Sequence, residues 1–171
     1  MTSAHEEIKR LINGPDTIAF PEGFDTETIS VRCPGNAKDV LANCKQVLEI
    51  VLGTKGEWPD AEKWRSLLPS WFVEASGKER TKEESEIWRK QFLSLPQSEQ
   101  VEALQQERWS VNAWTYWFMP DHDNRQWKWW NASVVSNELF WVELEVTDWP
   151  IALGALEWLL RASGAQKIEI E

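Results

Sequence analysis

Thirteen tryptophans in 171 residues constrain this chain more than any other feature. Each indole can bury roughly 150–250 Å² and carries one N–H that seeks an acceptor once buried. A chain loaded in this way must enclose the rings in a large core or present some of them to a partner. The length allows the first solution, since a chain of about 150 residues buries roughly 70% of the surface it would expose unfolded. The sequence reads as one domain over residues 1–171 with a helical insert at about 58–107, and it needs no metal or disulfide to hold it.

Local signals place the elements. Ser3 and Glu6 form a capping-box pair ahead of Ile8, Leu11 and Ile12, so residues 4–12 read as a helix that Asn13-Gly14-Pro15 ends. Ile29 and Val31 alternate with polar neighbours in a strand over 28–33, and Pro34-Gly35 turns the chain. Asn36 then stands as N-cap to a helix over 37–52. Its stripe is Val40, Leu41, Cys44, Val47, Leu48 and Val51 at i, i+3, i+4 spacing. The insert is helical and interrupted: Pro59-Asp60 opens one helix and Pro69 closes it, Thr81 and Glu84 cap a second, and Ser98 caps a third. From Trp109 the apolar period shortens towards two. Residues 109–118, 126–135 and 139–147 read as an antiparallel meander with turns at 120–124 and 136–138. Asp148 as N-cap and Pro150 in the first turn begin a helix over 150–163, and residues 167–171 form an edge strand.

The fold expected is therefore α+β. An antiparallel sheet of four or five strands carries the 37–52 and 150–163 helices on one face, with the insert helices on the other face or an edge. The order β-α-insert-β-β-β-α-β loosely resembles a ferredoxin-like β-α-β-β-α-β plan with one extra strand.

Parity along the strands suggests where chemistry sits, because alternate residues face opposite sides of a sheet. In 139–147 the even positions Phe140, Val142, Leu144 and Val146 are wholly apolar and must face the core. The odd positions include Trp141, Glu143 and Glu145. In 126–135, Trp127 and Trp129 share parity with Asn131 and Ser133. Aligning the mixed faces puts Trp127, Trp129 and Trp141 beside Glu143 and Glu145. Either the insert covers that surface, using Trp58, Trp64, Trp71 and Trp88, or it is an open aromatic groove with two carboxylates. Glu143 and Glu145 lie roughly 6–7 Å apart along a strand, a separation found between glycosidase carboxylates, although alternating glutamates are also common on solvated strand faces.

The net charge is -10, from 28 acidic and 18 basic residues, and no basic run exists to neutralise phosphates, which argues against nucleic-acid binding. Residues 129–160 contain no Lys or Arg, so the local field is acidic and suits a basic partner unless cations from the insert balance it. Cys33 and Cys44 fit no metal or redox spacing and read as free thiols. Asp121-His122-Asp123-Asn124 has the composition of a hairpin turn rather than of a metal loop, and His5 sits near the terminus. No nucleophile elbow, phosphate-binding glycine loop or zinc helix motif occurs. No cofactor, metal site, catalytic residue or membrane span is expected, and the N-terminal segment points to a cytoplasmic protein. The leading expectation is a non-enzymatic binding or regulatory protein that uses an acidic, Trp-lined surface for a protein partner. The alternatives are a small-molecule or carbohydrate pocket, with hydrolysis by the two glutamates, and a homo-oligomer joined through the Trp face.

Overall fold

The computed structural model describes residues 3–17, 20–123 and 125–171, with the backbone alone of His122. Helix α1 (Ala4–Asn13) opens on the expected capping box: the Ser3 hydroxyl accepts from the Glu6 N–H, and the Glu6 carboxylate accepts from the Ser3 N–H. Strand β1 (Asp25–Arg32) and helix α2 (Ala37–Leu52) follow, then the helical insert, then β2 (Trp127–Ser136), β3 (Leu139–Val146), α8 (Gly154–Ser163) and β4 (Lys167–Ile170). The four strands run in the order β2-β3-β1-β4, and every neighbouring pair is antiparallel. This is the ferredoxin-like plan that the element order suggested, without the extra strand.

That extra strand is a helix. Residues 109–118 contain α7 (Val111–Tyr116), started by the Ser110 hydroxyl, which accepts from the Ala113 N–H. Val111, Trp114, Thr115 and Phe118 are the buried positions, at the i, i+3, i+4, i+7 spacing of one helical face. The aromatic content favoured a strand reading, but burial follows the helical period. Two starts also differ from expectation. α8 begins at Gly154, after a cis Trp149–Pro150 peptide, and the Asp148 carboxylate accepts from Trp149 N–H rather than capping the helix. α6 (Gln97–Gln106) begins just after Pro96, ahead of Ser98.

One face of the sheet holds the core. Ile29, Val31, Phe140, Val142 and Leu144 join the α2 stripe and Leu156, Leu159 and Leu160 of α8 in one buried cluster. The two long helices therefore share a face, as expected. The insert continues this helical layer rather than crossing to the opposite face. Trp64 of α3 (Ala61–Leu67) and Phe72 of α4 (Ser70–Ala75) belong to the same cluster. Ring contacts run from Phe72 to Trp114 (5.0 Å), Trp114 to Phe118 (4.6 Å) and Phe118 to Trp127 (6.2 Å), so the insert reaches the sheet at the start of β2. The Trp114 indole donates to the Ala155 carbonyl at 2.9 Å and pins α7 to the start of α8.

The pair α5 (Lys82–Ser94) and α6 contributes no buried side chain. It leaves and re-enters the fold where Gly77 bridges Ser110. The approach is so close that a Cβ on Gly77 would stand 2.4 Å from the Arg108 carbonyl oxygen. Arg108 locks the junction by donating to the carbonyls of Glu74, Ala75 and Ser76.

α1 lies on the outer edge of β2, where a buried ion network fixes it. Arg125 donates to both Glu7 oxygens at 2.9 and 3.0 Å, and Glu7 also accepts from the Trp129 backbone N–H at 2.9 Å. Asp123 takes two further Arg125 donors and binds Lys128. The guanidinium packs against the rings of both Phe118 and Trp127, 4.8 and 5.0 Å from their centroids. Burial opposes its charge, but Glu7 and Asp123 outweigh that and hold the proton more firmly than in water.

Removing one partner of a buried pair strands the other, at a cost of about 3–5 kcal/mol. Glu7→Ala and Arg125→Ala should each lose stability on that scale in urea titration, whereas Lys9→Ala, which breaks the exposed Lys9–Asp16 pair, should lose under about 1 kcal/mol. Equal small losses would contradict the role given to the network. Replacing residues 81–106 by a short Gly/Ser linker should leave a cooperative thermal transition within a few degrees of the parent protein, since nothing buried is removed; a non-cooperative product would show that the excursion supports the core.

Candidate functional site

A β-bulge decides which tryptophans face outwards. Trp127 pairs with Val146 and Trp129 with Leu144, but Asn131 pairs with Glu143, so Trp130 is an extra residue in β2. Such an insertion shifts the parity of the strand by one. Before it, Trp127 and Trp129 point into the helix-covered core, where both are fully buried. After it, Asn131 and Ser133 point to the other face, opposite Glu143 and Trp141. The expected surface of Trp127, Trp129 and Trp141 beside Glu143 and Glu145 is thus divided. The first two rings are core, and only Trp141, Glu143 and Glu145 share the second face. Parity alone implies an unbroken alternation, and nothing in the local sequence marks Trp130 as a bulge.

The second face is a field of small polar side chains around one large ring. Trp141 is half-exposed between Ser133 of β2 and Ser30 of β1. Glu143 is half-buried between Asn131 and Thr28. Thr28, Ser30, Asn131, Ser133, Trp141 and Glu143 all remain partly exposed on this face, whereas Arg10 of α1 covers Glu145 at one end. The insert tryptophans that were candidates for covering the face lie elsewhere: Trp64 contacts Trp58, Trp71 contacts Phe72, and Trp88 stacks on Phe92.

The two glutamates differ in state. Glu145 is 1% exposed and accepts from Arg10 Nη1 at 3.1 Å, so a cation from α1 meets the acidic stretch at this residue. Glu143 has no hydrogen-bond or ion partner among the described residues, and burial alone pushes its carboxyl above the usual range. The two do not form a pair of free carboxylates, which removes the geometric basis for a two-carboxylate hydrolase.

At one end of the face, α1, the segment after it and the bulge enclose a cavity of about 350 Å³ against Arg10, Trp130 and Glu145. Trp130, the bulge residue, is 7% exposed and stacks on Phe20 at 4.3 Å. Sequence parity gave Trp130 no part in a site, because the bulge and the return of α1 to the β2 edge are both long-range features.

Other sequence candidates are engaged elsewhere. Asp123 serves Arg125 and Lys128. Burial would raise its carboxyl, but Arg125 first and Lys128 next hold it below the usual range. Asn124 and the His122 side chain lie outside the described residues, and His5 is exposed. No cluster of three metal-ligating side chains occurs among the described residues. Cys33 and Cys44 are free and buried, and burial pushes the Cys44 thiol up to about 12, which makes it a packing residue. No helix is long and apolar enough to cross a membrane. No family model, curated protein or solved structure matches the chain.

The state of Glu143 sets a pH dependence. A carboxyl whose folded pKa lies above its unfolded value favours the folded state while protonated, and that contribution is lost as pH rises from the unfolded value through the folded one. Glu143→Gln should therefore be more stable than the parent at neutral pH, with the difference vanishing below pH 4, as read from thermal midpoints across the acid range. A glutamine variant less stable at pH 7 would show that the carboxylate has a stabilising partner.

Proposed function

We propose that the protein is a non-enzymatic binding protein that holds a protein partner on the uncovered face of its sheet. The observation that carries this reading is Glu143, an unpaired and partly desolvated carboxylate next to the half-exposed ring of Trp141. A carboxyl shifted by burial beside a part-exposed aromatic ring is a candidate recognition group. Trp is enriched among the residues that anchor interfaces, and a ring surrounded by small side chains offers both faces of its edge to an incoming group. The net charge of -10 and the absence of Lys and Arg from residues 129–160 favour a partner that brings a basic side chain to Glu143. The β3 register supports the same placement, since Ser30, Thr28, Ser133 and Asn131 leave room on both sides of Trp141 and Glu143.

The test is a photoreactive phenylalanine analogue at Ser133, compared with the same label at exposed Ser98 of α6, in cells that make the protein. A discrete adduct should form from position 133 and not from 98. Trp141→Ala and Glu143→Lys should each reduce it at least tenfold without changing the thermal midpoint by more than a few degrees. Adducts of equal yield from both positions, or an adduct indifferent to both substitutions, would sink the proposal.

A further inference from the structure

The sheet ends on an open edge at β4. Among the described residues β4 pairs only with β1. The Glu171 N–H donates to the Thr28 carbonyl at 3.0 Å, so the backbone of that residue turns towards β1. Successive residues of an antiparallel strand turn their backbone groups to opposite sides. The N–H and C=O of Ile168 and Ile170 therefore point out of the sheet, where a further strand can pair with them.

The side chains of this edge divide between the two faces. Ile168 and Ile170 lie opposite Val31 and Ile29 on the helix-covered side, and Lys167 and Glu169 lie opposite Arg32 and Ser30 on the other. Ile168 packs against the core, but Ile170 is 55% exposed. Beside them a groove of about 600 Å³ runs between α6, α8 and β4, with Val101 and Leu104 as its apolar wall and Gln166 and Ile168 on the strand side. Val101 and Leu104 stand at i and i+3, so α6 turns an apolar stripe towards the strand, yet both remain more than half exposed. An exposed apolar side chain and an unfilled apolar groove thus sit side by side at an unpaired strand edge.

Charge selects the strand that fits. A charged side chain blocks an edge when the incoming strand meets it with the same sign. The run Lys167-Ile168-Glu169 reverses its sign about Ile168, so an antiparallel copy of itself sets each Lys167 opposite the other chain's Glu169. Those are non-hydrogen-bonded pairs, in which side chains stand closest, and the two Ile168 residues form the hydrogen-bonded pair between them. Lys167 and Glu169 already pair within the strand at 2.6 Å as an exposed contact, and a second copy completes an alternating square of four charges around it. The same register sets Ile170 of the second copy opposite Gln166, at the groove walled by Val101 and Leu104. We propose that β4 is a self-association edge: a second copy of this chain pairs its β4 antiparallel to the first about Ile168, and each Ile170 enters the other's groove beside α6. Two four-stranded sheets then join across a two-fold axis, through a surface separate from the Trp141 face.

Sedimentation equilibrium on the full chain tests this from about 1 to about 500 µM, a span suited to a small interface. A monomer–dimer equilibrium is expected. Lys167→Glu and Glu169→Lys should each weaken it at least tenfold, because either reversal sets like charges opposite one another at both ends of the pairing. Mixing the two variants in equal amounts should restore dimer to within a fewfold of the parent, since every charge then faces its opposite. Both side chains are exposed, so both variants should keep the parent's thermal midpoint. Leu104→Asp puts a charge in the groove and should also weaken association at least tenfold, whereas Lys38→Glu, exposed on α2, should leave it unchanged. A monomer at the highest concentration would overturn the proposal. So would a dimer indifferent to a charge reversal at β4 or to Leu104→Asp, a dimer weakened equally by Lys38→Glu, or a mixture that stays monomeric while both variants melt cooperatively. The adduct from Ser133 should persist in both charge variants, so the two readings fall separately.

Discussion

The bidentate contact between Arg125 and Glu7 is the constraint on which the rest of the molecule depends. A buried ion pair of this kind contributes little net stability compared with apolar packing, yet it is exacting in geometry. Glu7 accepts Arg125 at two positions and the outward Trp129 N–H at a third. An edge strand would otherwise leave that N–H unpaired. The contact therefore covers the β2 edge and fixes where α1 lies. It also ends beside the bulge, so the residue that follows Trp129 can turn its ring out of the core towards α1. One turn after Glu7, Arg10 meets that ring and Glu145. The Arg125 network and the Arg10–Glu145 pair are thus two consequences of one helix held against one strand edge.

The tryptophan surplus is resolved by division. Of the thirteen, Trp64, Trp114, Trp127, Trp129, Trp130 and Trp158 are buried, and only Trp149 is fully on the surface. Burying one such ring is worth roughly 4–6 kcal/mol before the cost of ordering it. This explains how a broken run of short insert helices holds together: their rings form a chain of edge and tilted contacts from Phe72 to Trp127, continuous with the core beneath the sheet. Of the rings expected on a binding surface, Trp127 and Trp129 are core, and Trp127 is the one that meets the ring chain from the insert. Trp141 stands apart because it is on the face that the helices leave uncovered.

The two surfaces of the sheet consequently have different tasks. On one, apolar side chains from three strands meet α2 and α8. On the other, small polar residues surround Trp141 and Glu143, and the corner cavity opens at the bulge end. The α5–α6 excursion is a third region, with Ile87, Leu93, Val101 and Leu104 all more than half exposed and nothing of the pair in the core. Its apolar positions are spaced as in an amphipathic helix, yet the fold closes at Gly77 and Ser110 without using them.

Much of this architecture was legible in the residues. The β1-turn-α2 unit, both capping boxes, the β2–β3 hairpin and the closing helix and edge strand depend on contacts between near neighbours, which periodicity and cap chemistry report directly. The limits of α2 fall where Asn36 and Gly53 place them, although Asn36 makes no side-chain cap. The same local reasoning misjudged residues 109–118, because a run dense in tryptophan favours a strand until burial by Phe72 and Ala155 selects a helical face. It also located Trp141, Glu143 and Glu145 together, since no irregularity interrupts β3. What it could not locate was the insertion of Trp130 in β2, the return of α1 to the sheet edge, and the pairing of Arg10 with Glu145, 135 residues apart. By itself the sequence determined the elements, their order and the apolar faces they must bury, because those follow from spacing along the chain. Only the tertiary structure decided which rings are core and which charges meet, because one extra residue in a strand exchanges its two faces, and only the packed partner shows where that residue lies.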